Sequence, residues 1–256
     1  MCLIVLGLGI HPELPLLFAG NRDEFFARPT RPAAFWDDHP EVLAGRDLEQ
    51  GGTWFGVTKQ GRLAAITNFR DGRRPRSGRR SRGLLVSDFL LSDQSPAEFL
   101  EQLERTRDDY DGFNLVFGQA EEFFHYSNRS TAIARLTAGV YGLSNHLLDT
   151  PWPKVERAKA ALKEASGMPR EAVGAQLEKL LQDDARAPDD TLPQTGVSLE
   201  WERLLSSAFI RSPAYGTRAS TTLTRDTSGE MVFVERSFGP DGQLLDLRSY
   251  RISPTS

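Results

Sequence analysis

The single cysteine among 256 residues is Cys2, placed where loss of Met1 would make it the first residue of the chain. A thiol there carries its own base. A free α-amine titrates near about 7.7–8.0 and an unperturbed thiol near about 8.5, so the two can be tuned into a nucleophile–base pair around neutral pH without a histidine. That is the chemistry of a hydrolase whose first residue attacks a carbonyl. A second reading also fits: a small buried hydrophobe in the apolar run Cys2-Leu3-Ile4-Val5-Leu6, since free cysteine packs well in cores.

A nucleophile of this kind needs an acid to hold its amine and donors for the oxyanion. Four polar clusters fall at the ends of apolar, strand-like runs. Asn21-Arg22-Asp23-Glu24 follows an apolar strand and Gly20; Asp23 could fix the charged amine of Cys2, while Asn21 and Arg22 could bind a carbonyl or carboxylate. Thr67-Asn68-Phe69-Arg70-Asp71 ends a second run, Gly142-Leu143-Ser144-Asn145-His146 a third, and Tyr215-Gly216-Thr217-Arg218-Ala219-Ser220 opens a fourth. An asparagine amide aimed at a developing oxyanion is worth roughly 3–4 kcal/mol. Taken singly, the tetrad also suits a turn, and each asparagine a left-handed turn residue. Their joint occurrence points to a site.

The elements that must carry these residues follow from pattern. Strands are expected over residues 2–8 and 14–19, joined by His11-Pro12-Glu13, and over 54–58 and 63–67 around the turn Lys59-Gln60-Gly61-Arg62. Ser81-Arg82-Gly83 opens a helix, and Ser95-Pro96-Ala97-Glu98 is a helix N-terminus with proline at its first position. Strands return over 113–117, 123–127 and 139–144. Helices with three- and four-residue apolar spacing follow over 153–164 and 170–181. A polar surface loop is expected over 183–198, then strands over 218–223, 231–236 and 243–250. No repeat or linker divides the chain, so one α+β domain over 1–256 is expected.

Composition narrows the function classes. A net charge of −4 argues against nucleic acid as partner, and one cysteine leaves no internal disulfide and suits a reducing, cytoplasmic setting. Four histidines without ligand spacing give no metal site. No apolar run approaches the ~20 residues of a membrane span.

The chain resembles the NRDE family, relatives of the transport-and-Golgi-organisation protein. The resemblance rests on Met1-Cys2, Asn21-Arg22-Asp23-Glu24, Arg28-Pro29, Gly52-Thr53-Trp54-Phe55-Gly56, Thr67-Asn68-Phe69-Arg70, Ser81-Arg82-Gly83, Gly142-Leu143-Ser144-Asn145 and Gly216-Thr217-Arg218, and spans essentially the whole sequence. It implies an N-terminal nucleophile fold, a four-layer αββα sandwich of two antiparallel sheets. It is also similar to cysteine-nucleophile amidases such as choloylglycine hydrolases. By that similarity Cys2 matches the nucleophile, Asp23 its orienting acid, Asn68 and Asn145 the oxyanion and amine partners, and Arg218 the arginine beside them. One departure stands out: the arginine those amidases carry before their Asn-x-Asp is Gly20 here, and the tetrad's arginine is Arg22.

Two further features bear on substrate. Residues 70–82 hold seven arginines (Arg70, Arg73, Arg74, Arg76, Arg79, Arg80, Arg82). They form either a mobile loop gathering an anion such as a phosphate, a CoA moiety or a haem propionate, or a merely solvated one. Phe25, Phe26, Phe35, Trp36, Trp54 and Phe55 could line an apolar pocket or belong to the core. Asn21, Arg22, Trp54, Phe69 and Arg70 are the expected substrate contacts. Two functions are expected from this set: hydrolysis of an amide or thioester through Cys2, or carriage of haem or an acyl-CoA on the same fold without catalysis. No resident cofactor is expected, and oligomeric state is left open.

Overall fold

The computed structural model describes residues 2–72 and 79–254. Two antiparallel sheets stack face to face. The first contains β1 (Cys2–Leu8), β2 (Leu16–Phe25), β10 (Gly139–Leu143), β11 (Tyr215–Arg225), β12 (Met231–Phe238) and β13 (Leu244–Ile252), in the order β10-β1-β2-β11-β12-β13. The second runs in sequence order through β3 (Thr30–Phe35), β4 (Val42–Asp47), β5 (Phe55–Thr58), β6 (Arg62–Asn68), β7 (Phe113–Gln119), β8 (Glu122–Ser127) and β9 (Ala134–Leu136). Helices α3 (Pro153–Ala165) and α4 (Arg170–Leu181) cover the first sheet, and α1 (Gly83–Leu91) and α2 (Pro96–Thr106) the second. The result is the α+β, αββα layering that the resemblance implies.

The strand alternation explains this layering. In β1, Ile4, Leu6 and Leu8 pack between the sheets while Leu3 and Val5 pack under α3 and α4, so the strand is buried on both faces and reads as an unbroken apolar run. Phe55 of β5 stacks on Phe18 of β2 at 4.1 Å between ring centres and on Phe233 of β12 at 5.7 Å, joining the sheets. The N-terminus of α2 is the expected capping box, with Ser95 and Glu98 satisfying each other's backbone N–H and Pro96 at the first position.

One expectation needs correction, and some elements were not anticipated. The second strand does not stop before the tetrad: β2 runs on to Phe25, with Asn21, Arg22, Asp23 and Glu24 inside it. Asn21 and Asp23 find partners on adjoining strands and helices and Arg22 turns to the cavity, so no turn is needed. The sequence pattern also passes over β3 and β4. Pro32 argues against a strand, but β3 is the edge of its sheet and its register shifts between Arg31 and Ala34, where the missing N–H is tolerated. The polar loop over 183–198 is as expected, and a short helix not anticipated from the sequence, α5 (Leu199–Leu204), follows it.

Candidate active site

Cys2 opens β1 and stands opposite Arg22 on β2. Its backbone is fixed from the other flank: the Ser144 hydroxyl donates to the Cys2 carbonyl at 2.9 Å, and Thr67 of β6 donates to the Ser144 carbonyl at 2.6 Å. Cys2 is 8% exposed and lines a cavity of about 250 Å³ at these strand ends. Burial pushes its pKa up. The positively charged amino terminus, Arg22 and a hydrogen bond from the Asp23 backbone N–H all pull it back, against repulsion from the Asp23 carboxylate.

Asp23 is 1% exposed. Its carboxylate is oriented by Thr217 on β11, whose hydroxyl accepts from the Ile210 N–H at 2.9 Å and so has its proton free to donate to Asp23 Oδ1 at 2.7 Å. Burial also raises the Asp23 pKa. The amino terminus, then Lys154, then the Thr217 bond and Arg22 work in the other direction. A carboxyl group on the neighbouring strand, next to the residue paired with Cys2, is the acid that holding the Cys2 amine calls for.

Arg218 is placed by an irregularity. The β2–β11 register slips between Thr217 and Ala219, making Arg218 the bulged residue, and such a bulge re-aims a side chain. Its guanidinium donates to the carbonyls of Phe25 and Arg28, each at 2.9 Å, to that of Phe26 at 3.3 Å and to Thr30 Oγ1 at 3.1 Å. It therefore lines the cavity and also pins the chain leaving β2.

Among the expected site residues, Cys2, Arg22, Asp23, Trp54, Asn68 and Arg218 line the one cavity. Four do not. Asn145 is fully buried behind Asn68 and donates to its carbonyl at 2.9 Å, so it positions Asn68. Asn21 points to the helical side, where its amide donates to the carbonyls of Leu181 and Ala208 at 2.8 Å each and accepts from Ser220 at 2.6 Å. Phe69 and Arg70 border a separate cleft with His146 and Trp152. Arg70 is buried there, paired with Glu202 at 3.2 Å and stacked on the Trp152 ring at 4.5 Å.

The arginine-rich stretch also differs from a mobile basic loop at its two ends. Arg70 is committed to Glu202, and Arg82 donates to the Gly112 carbonyl at 3.2 Å from the cavity wall. Arg73, Arg74 and Arg76 lie outside the described residues. Of the six aromatic candidates only Trp54 reaches the cavity; Phe55 and Trp36 are core.

Sequence reasoning passed over Lys154, Glu235 and Thr217 as site members. Glu235 lines the cavity from β12, is buried, and accepts from the Ala33 N–H at 2.6 Å across the two sheets. Lys154 is buried at the start of α3, and a signal for it existed: with Ala158, Leu162 and Ala165 it lies on the buried stripe of the helix, where lysine is out of place. No group of three His, Cys, Asp or Glu side chains is placed to hold a metal among the described residues, and no described helix is long and apolar enough to cross a membrane.

Comparison with known proteins agrees with this geometry. An N-acylethanolamine-hydrolyzing acid amidase ortholog from Caenorhabditis elegans superposes over 87% of this chain and 92% of its own at a TM-score of 0.52, with 11% identity. A variant of the conjugated bile acid hydrolase from Clostridium perfringens superposes over 100% and 98% at 0.50, with 10% identity. At such identities the likeness establishes the N-terminal nucleophile hydrolase fold and nothing finer. Sequence relatives are nearer: the Transport and Golgi organization protein 2 homolog of Bos taurus is 38% identical over 259 residues, and that of Homo sapiens 34% over 257, each covering 93% of both chains. With the Transport and Golgi organisation 2 family model matching residues 1–240, the chain belongs to that family.

Proposed function

We infer that the protein is an N-terminal cysteine hydrolase acting on an amide or thioester whose leaving or acyl part carries negative charge. One observation carries this reading: Cys2, Asp23, Asn68, Arg22 and Arg218 line one cavity. The fold neighbours, an amidase and a hydrolase by name, support the same class.

Removal of Met1 makes the Cys2 nitrogen a free amine. That amine takes the thiol proton, the thiolate adds to the substrate carbonyl, and the Asn68 amide N–H donates to the oxyanion. Collapse of the intermediate returns the proton to the leaving nitrogen or sulfur, leaving an acyl-thioester on Cys2 that water hydrolyses. Asp23 holds the amine in place between the steps. Support for an anionic substrate comes from guanidinium groups without acidic partners. Arg22 makes no side-chain hydrogen bond or ion pair with a described residue, and Arg82 and Arg218 bond only carbonyl or hydroxyl oxygens.

Intact-mass analysis after exposure to an activated acyl ester tests the reading. The protein beginning at Cys2 gains one acyl group and loses it again by hydrolysis; Cys2→Ala gains none. Retained Met1 in active protein, or undiminished hydrolysis by Cys2→Ala, would rule it out. Tight binding of the acyl compound without turnover would instead favour a carrier of acyl-CoA or haem on this fold.

A further inference from the structure

The helical layer behind the nucleophile holds a buried cation that the chemistry above leaves unused. Lys154, in the first turn of α3, is 2% exposed, and its Nζ has no hydrogen-bond partner among the described residues. A buried ammonium without contacts is unfavourable unless a nearby charge compensates it.

The groups facing Lys154 come from every element around it. Asp23 on β2 is the strongest attraction and Cys2 on β1 a weaker one; Arg70, after β6, and Arg157 on α3 repel. The two arginines have acids of their own, Glu202 of α5 at 3.2 Å and Asp183 after α4 at 2.7 Å. Tyr215 on β11 closes the layer, its hydroxyl donating to the Asp23 carbonyl at 3.2 Å, and it is held neutral by burial and the surrounding acids. Lys154 is thus the cation of this layer with no acid in contact among the described residues, and Asp23 is the anion it faces.

We propose that Lys154 is the through-space counter-charge of Asp23, a positioning residue that keeps this buried carboxylate ionised so that it can hold the Cys2 amine. The reason to need one is geometric. Asp23 lies on the same face of β2 as Asn21, whose amide bonds the helical side, and although it borders the cavity it is 1% exposed, so its carboxylate has little water to stabilise its charge. Removing the cation therefore destabilises the Asp23 carboxylate and leaves the Cys2 thiolate facing an anion whose field is no longer offset. The value of this arrangement to catalysis rests on the hydrolase reading; the charge coupling itself does not.

The chain has five lysines, Lys59, Lys154, Lys159, Lys163 and Lys179, so side-chain NMR of lysine-labelled protein resolves each titration. The Asp23→Asn variant keeps the Thr217 bond and should lower the Lys154 midpoint by at least one pH unit, a tenfold change in acidity, with the other four unmoved. An unmoved Lys154 in folded Asp23→Asn protein overturns the proposal. The second arm uses Lys154→Met and iodoacetamide, which reports only on Cys2. The midpoint of alkylation against pH should move up by at least half a unit, about threefold slower at pH 7, with the high-pH plateau preserved. A uniform loss at all pH values with an unmoved midpoint assigns Lys154 a purely structural role and also overturns it. Neither arm requires substrate turnover, so failure of the hydrolase reading leaves both interpretable.

Discussion

Neighbouring residues of the Asn21-Arg22-Asp23-Glu24 tetrad have opposite work, because a strand turns successive side chains to opposite faces. Asn21 stitches β2 to the end of α4, to the segment before β11 and to Ser220 within β11 through three buried hydrogen bonds, while Arg22 lines the cavity with no side-chain partner among the described residues. Asn21→Ala should cost about 3 kcal/mol in urea unfolding, since it leaves two carbonyls and a hydroxyl unsatisfied in the interior. Arg22→Ala should change stability by less than about 0.5 kcal/mol. Its effect belongs to substrate choice. Acylation of Cys2 by a carboxylate-bearing activated ester, relative to a neutral one, should fall about tenfold, equivalent to about 1.4 kcal/mol of lost recognition. If the ratio does not change, the cavity does not select anions through Arg22. The sequence placed these residues together but could not divide them, because the division depends on which face β11 and α4 occupy. Asn68 and Asn145 divide in the same way: both end apolar strands, yet only one reaches the cavity, and the other spends its amide holding the first.

Two glycine-containing motifs that stand thirty residues apart in the sequence meet in the structure. A Cβ on Gly52 would lie 2.5 Å from the Gly83 carbonyl carbon, and the Thr53 N–H donates to the Gly83 carbonyl at 3.2 Å. This contact seats the start of α1 against the approach to β5, and so sets Trp54 and Arg82 on the same cavity wall. Gly52→Ala should destabilise by about 3 kcal/mol, because backbone meets backbone and no side chain can yield. Gly174, in α4, has open space around it, and Gly174→Ala should stabilise by about 0.5–1 kcal/mol. Equal effects of the two substitutions in thermal unfolding would remove the packing argument. The same contrast explains which elements were legible. The apolar runs of β1 and β6, the capping box of α2 and the amphipathic stripes of α3 and α4 announce themselves, since burial on a fixed face leaves a period in the sequence. The polar end of β2 and the proline-bearing edge strand β3 do not, because their partners are hydrogen bonds and register shifts contributed by distant chain.

Net charge says little about this interior. A chain at −4 overall gathers into one cavity three guanidinium groups, Arg22, Arg82 and Arg218, that have no acidic partner among the described residues, and a lysine into the layer behind it. What fixes the behaviour of that lysine is depth: burial first, then repulsion from Arg70 and Arg157, lowers its pKa from the ordinary 10.5 to about 8, against attraction from Asp23 and Cys2. This has a consequence for the stability of the whole fold. Below pH 8 the folded and unfolded chains both keep the proton. Between pH 8 and 10.5 the unfolded chain still binds a proton that the folded chain has released, so the unfolded state binds more and stability rises with pH. The difference of about 2.5 pH units corresponds to a burial penalty on the order of 3 kcal/mol at neutral pH that is relieved across that window. Other groups titrate there too, so the measurement is the difference in urea unfolding free energy between the parent and Lys154→Met, taken at pH 7 and again at pH 10. The parent should gain on the variant as pH rises. A difference that stays constant, or moves the other way, would mean that Lys154 is neutral in the folded protein at pH 7 or reaches water, and that Asp23 keeps its charge by other means.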